Sequence, residues 1–144
     1  MAIGSKVRLL SGALALLWMG LIFYWSDQSS LAVDGAGPGS AEMAVRKLGH
    51  AIVFAILAIL LRVVTWFRGR GLLEGLAALC VTALYAASDE FHQSFTPGRS
   101  GNLTDVLIDT GGAAAAVVLF AVVHYLIVSA QLASAFRHRL SRSG

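Results

Sequence analysis

Charge is scarce in this chain. Asp, Glu, Lys and Arg make up 13% of its 144 residues, while 57% are hydrophobic. A soluble domain carries about 25% charged residues, so too few are present here to cover a surface in water. The mean hydropathy of +0.74 excludes intrinsic disorder, which needs a polar, highly charged chain. One cysteine, Cys80, excludes an intramolecular disulfide and a cysteine-rich zinc site. Two prolines exclude an extended proline-rich linker. The remaining class is an integral membrane protein of one domain, residues 1–144.

Apolar runs supply what charge does not. Crossing a hydrocarbon core takes about 20 apolar residues in helical form. The pattern predicts four transmembrane helices, at about 7–26, 47–67, 72–92 and 104–130, with a basic tail at 137–144. Arg62, Glu74 and Asp109 fall near run ends, where a long side chain can snorkel or a carboxylate can reach the interface. The first run has a basic start, Lys6 and Arg8, as a signal peptide would. Its length and its closing Phe23-Tyr24-Trp25 belt predict a retained helix instead.

Basic residues set the expected orientation. Lys6, Arg8, Arg62, Arg68, Arg70, Arg137, Arg139 and Arg142 fall on the side of the termini, eight of the eleven. Arg46, Lys47 and Arg99 fall on the other. The positive-inside rule then places both termini in the cytoplasm of a cell (inner) membrane. Residues 28–42 read as a flexible outer loop, and the Arg68-Gly69-Arg70-Gly71 turn makes the second and third helices antiparallel neighbours. Gly71-x-x-x-Gly75 and Gly111-Gly112 read as close-packing surfaces.

Polar chemistry gathers at the outer helix ends. Lys47 and His50 share a face of the second helix, and Asp105 and Asp109 share a face of the fourth. Asp89 aligns with His92 and Gln93 if the third helix continues past Ser88. Ionisable residues inside a membrane are functional candidates by default. Lys47, His50, Gln93, Arg99, Asp105 and Asp109 are the candidate ligand-binding residues, and His92, Asp89 and Glu90 the candidate proton-transfer residues. Two helix N-termini, Lys47 and Arg99 together favour an anion. Against this, Asn102 and Asp105 at the fourth helix fit a capping box. That explanation does not reach Asp109, a turn deeper, which should have Lys47, His50 or Arg99 as its partner.

Other chemistries leave fainter traces. His50, His92, Asp89, Glu90 and Asp109 offer metal-ligand atoms, but no recognised spacing such as HExxH is present, so no metal and no cofactor is expected. Ser88 and Ser94 lack a nucleophile elbow. Cys80 reads as a small packing residue, and His124 as an interhelical hydrogen-bond partner.

The string Ser88-Asp89-Glu90-Phe91-His92-Gln93-Ser94-Phe95-Thr96-Pro97-Gly98-Arg99, followed by Asp105 and Gly111-Gly112, resembles the signature of the VanZ-like membrane proteins. Lys47-x-x-His50 and Ser26-Asp27-Gln28 fit the same pattern, and the resemblance covers roughly residues 7 to 130. It implies a cell-envelope setting and a link to glycopeptide (teicoplanin) resistance, without implying a reaction. The partners expected are a membrane lipid and a lipid-linked envelope precursor or anionic headgroup, with no nucleic acid. A second expectation is a non-catalytic binding or transport-accessory module that modulates access at the surface.

Overall fold

The computed structural model describes residues 2–27, 39–66, 71–96 and 101–143. It is an all-α bundle of α1 (Ala2–Ser26), α2 (Ser40–Thr65), α3 (Gly71–Gln93) and α4 (Leu103–Ser143). Each helix is long and apolar enough to cross a membrane. In hydrocarbon every backbone polar group must be satisfied within the protein, and a helix does this within one segment. Leucine and valine side chains cover the outside of the bundle, including Leu9, Leu16, Leu72, Leu84 and Val118. Such a surface suits lipid, not water.

The helices run up and down in turn. Arg8 of α1 donates to the Val64 carbonyl at the end of α2, at 3.0 Å. At the other end, Ser26 of α1 reaches Asp89 of α3, and Lys47 of α2 reaches Asp105 of α4. Both termini therefore lie at the end opposite this second, polar end.

The centre is small and tight. Phe54, Leu57 and Ala58 of α2, Ala86 of α3 and Ala113 of α4 are fully buried. Gly112 lets α4 approach α2 closely, since a Cβ there would stand 2.3 Å from the Ala51 carbonyl oxygen. Gly75 meets Val117 at 3.1 Å by the same measure, so it seats α3 on α4. Gly71 and Gly111 meet nothing within 4 Å, so only half of each expected glycine pair packs. Two aromatic donors fasten α1: Trp18 to the Val53 carbonyl at 2.9 Å, and Tyr85 to the Met19 carbonyl at 2.6 Å.

Three sequence expectations change. Helix α2 starts at Ser40, seven residues before position 47, so the last part of the expected 28–42 loop is helical. Helix α4 runs to Ser143, through the expected tail. Bilayer thickness limits an apolar run but not a helix, and alanine, leucine and arginine all favour helix. Arg62 and Glu74 do not snorkel outward. Their side chains are 7% and 5% exposed and pair at 3.0 Å. Arg62 also lies over the rings of Trp66 and Phe120, at 5.5 and 5.1 Å. His124 contacts the same Trp66 ring, 4.4 Å between centroids, so this junction at the end near the termini ties α2, α3 and α4.

Candidate functional site

The polar end is built from the last turns of α1 and α3 and the first turns of α2 and α4. Helix α4 begins with Asn102 as its cap: the Asn102 side chain accepts from the Thr104 N–H at 2.9 Å. In a capping box the third helical residue would reach back to the cap's own N–H. Here Glu90 of α3 takes that N–H, with its Oε2 at 3.0 Å. Asp105, the third residue of α4, is thereby released to bind Lys47 of α2 at 2.7 Å. Gly101 permits this junction, because a Cβ there would fall 2.5 Å from the Glu90 carbonyl oxygen.

One turn deeper stands Asp109, fully buried. His50 stands beside it, with Nδ1 3.7 Å from Oδ2. Neither Asp109 oxygen has a hydrogen bond among the described residues. His50, Glu90 and Asp109 can each present one donor atom so that the three lie within 4.8 Å of one another. They come from α2, α3 and α4.

A cavity of about 230 Å³ opens onto these groups. Arg46, Lys47, His50, Asn102 and Asp105 line it together with the buried Glu90, Gln93 and Asp109. A second cavity of about 200 Å³ adjoins it, lined mainly by Ile22, Trp25, Val53 and Phe54. Arg46 and His50 line both cavities. A polar chamber and a largely apolar one thus share a wall.

Two of the predicted residues face elsewhere. Asp89 accepts from Ser26 at 2.8 Å and from Gln93 at 2.7 Å, which ties α3 to α1. His92 stacks near Phe23, 4.2 Å between ring centroids, with its Nε2 4.0 Å from Asp27. Neither lines the polar cavity. Successive helical residues point about 100° apart, so the adjacent acids Asp89 and Glu90 serve different neighbours. Gln93, one turn on from both, reaches Asp89 and also lines the cavity. Arg99 lies outside the described residues. Sequence reasoning missed Arg46 as a cavity residue. Its signal was the helical spacing Arg46-x-x-x-His50, which puts the two on one face of α2.

The architecture and its polar end define a small four-helix membrane protein with a cavity at one interface. A family model described as VanZ/LLP1 matches residues 12–124, and the chain belongs to this VanZ/LLP1 family. No curated protein and no solved structure matches the chain.

Proposed function

We propose that this protein takes the anionic headgroup of a membrane lipid, or of a lipid-linked envelope precursor, into its polar cavity at the outer face of the cell membrane. The observation that carries the reading is the shared wall: a chamber with Arg46 and Lys47 adjoins a largely apolar one. An amphiphile needs both, with a phosphate on Arg46 beside the Lys47–Asp105 pair and a chain stem against Ile22, Val53 and Phe54. The N-terminus of α4 beside Asn102 adds partial positive charge. The second chamber distinguishes this from capture of a free anion. His50 and Glu90, which line the cavity, are the groups placed for any proton transfer, ahead of His92 and Asp89.

The test uses the full chain in nanodiscs of phosphatidylcholine doped with phosphatidylglycerol, with retained lipid identified by native mass spectrometry. Wild type should retain the anionic lipid preferentially. Arg46→Gln with Lys47→Gln should lose that preference, while Ser88→Ala should keep it. Equal retention of both lipids by wild type would refute the reading. Expression in a susceptible host should raise the teicoplanin concentration needed to stop growth, and the double variant should not. A module that only alters surface access would protect the cells without any lipid preference in the nanodiscs.

A further inference from the structure

We propose that His50, Glu90 and Asp109 form a binding site for a divalent transition-metal ion, of the Zn²⁺ or Mn²⁺ class, in the polar cavity. The assignment does not depend on the headgroup reading.

Geometry comes first. The three donor atoms lie within 4.8 Å of one another. Bonds of about 2.0–2.2 Å to nitrogen and oxygen put tetrahedral ligands about 3.5 Å apart, so closing onto an ion takes movements of an ångström or so. Each donor sits on a different helix, and these helices are held by contacts independent of the ion. Gly112 packs α4 on α2, and Glu90 already binds the Asn102 N–H that starts α4. That bond also orients the Glu90 carboxylate, the outer-layer support metal ligands need.

The second observation is Asp109. It is fully buried, and neither of its oxygens has a hydrogen bond among the described residues. A buried carboxylate requires a cation or donors. The nearby amine of Lys47 is committed to Asp105 at 2.7 Å. His50 at 3.7 Å stands beyond hydrogen-bond range of Asp109 but at a separation that an ion between them would occupy. Two carboxylates and a neutral imidazole balance a doubly charged ion.

Ligand chemistry selects the metal class. One imidazole with two carboxylates suits borderline Zn²⁺, or the harder Mn²⁺ with water completing its shell, whereas Mg²⁺ and Ca²⁺ favour oxygen alone. Three protein ligands leave at least one position open, as in catalytic zinc sites, and the cavity supplies the space beside it. An ion held there could polarise a phosphoryl oxygen or acidify a bound water.

The experiment uses the purified full chain in a neutral detergent, stripped with chelator, with Zn²⁺ and Mn²⁺ added separately. Metal content after gel filtration is measured by mass spectrometry, and affinity by calorimetry. Wild type should retain about one equivalent of one ion, and its unfolding temperature should rise with that ion. Replacing an outer-layer partner typically weakens a metal site 10–100-fold. His50→Ala, Glu90→Gln and Asp109→Asn should each weaken binding by about 100-fold or more, beyond that range. His92→Ala, His124→Ala and His138→Ala should bind as wild type does. Each variant's elution profile and unfolding without metal show that it is folded. Should a ligand variant not fold, Co²⁺ spectra of wild type decide through histidine and carboxylate coordination. Failure of wild type to retain either ion, or unchanged affinity in the folded Asp109 variant, would overturn the proposal. Loss of the phosphatidylglycerol preference leaves this measurement untouched, so the two readings fail separately.

Discussion

Glu74→Ala should destabilise the bundle by about 3 kcal/mol, a large effect for one residue at the end of a transmembrane helix. Glu74 and Arg62 pair at 3.0 Å with side chains 5% and 7% exposed. Removing one member of a buried pair leaves the other charge uncompensated, at about 3–5 kcal/mol. The lower end applies because Arg62 stands near the end of its span and has other partners. Its Nη2 is 3.4 Å from the Gly71 carbonyl, and its head lies over two rings. Those contacts survive the substitution, so they limit the loss without replacing the carboxylate. Glu74→Gln keeps an acceptor and should lose about 1–2 kcal/mol. Replacing both residues, Arg62→Met with Glu74→Leu, should recover most of the stability, because no buried charge remains. The assay is reversible unfolding in mixed micelles of rising dodecyl sulfate fraction, followed by tryptophan fluorescence, and Arg62→Met and Glu74→Leu made singly complete a double-mutant cycle with the double variant and wild type. A loss below about 0.5 kcal/mol for Glu74→Ala, the range of ordinary surface changes, would refute the buried junction and restore the snorkelling picture.

Four further outcomes are expected. Gly112→Ala should cost about 2–3 kcal/mol in the same assay, since its Cβ would stand 2.3 Å from the Ala51 oxygen, whereas Gly111→Ala should be neutral or slightly stabilising. Asn102→Ala should cost about 1 kcal/mol by loss of its cap bond to Thr104, and should leave metal affinity within tenfold because Glu90 binds the backbone N–H that remains. Ser26→Ala should lower stability by about 1–2 kcal/mol by removing a donor from the buried Asp89, yet leave the lipid preference intact. In a Cys80→Ser background, Asp27→Cys should react with an impermeant thiol reagent in intact cells and Arg142→Cys should not; the reverse pattern would invert the proposed orientation.

The fold was legible because a bilayer leaves few alternatives. An apolar run of about 20 residues has to be a helix in hydrocarbon, so α1 and α3 fall within a few residues of the expected bounds. The departures come from using the membrane as a ruler for things it does not measure. Ser40 to Glu42 and Arg137 to Ser143 lie beyond the apolar spans and are still helical. Arg62 and Glu74 show the same error in energetic form. Proximity to a span end permits snorkelling but does not require it when an opposite charge stands on the next helix. Helical spacing correctly put Lys47 with His50 and Asp105 with Asp109. It cannot tell which neighbour each face meets, so it groups Asp89, His92 and Glu90, which separate in space. The Glu90 bond to Asn102 had no signal in the sequence, since a backbone donor on another helix leaves no residue type to read.

The polar end divides its charges by depth, and that division bears on what the protein can hold. Near the cavity walls a cation and an acid are already matched, Lys47 with Asp105 at 2.7 Å, which leaves Arg46 as the basic group not tied in that pair. Asp89 is engaged with Ser26 and Gln93, and acts as a brace between α1 and α3. Glu90 has one oxygen engaged by the start of α4. After these assignments Asp109 stands apart as a buried acid whose oxygens have no hydrogen bond among the described residues. Helix capping cannot account for it, because it lies a turn past the last backbone N–H a cap would serve. Packing cannot account for it either, because an alanine or leucine would fill that site without requiring a counter-charge. A positive charge or hydrogen-bond donors from outside the acid's own helix give a carboxylate at Asp109 an advantage over an apolar residue. His50 can supply that charge as an imidazolium, or can share the task with a metal ion, and those two states differ in a countable way. The first holds no metal, and the second holds one equivalent that Asp109→Asn removes.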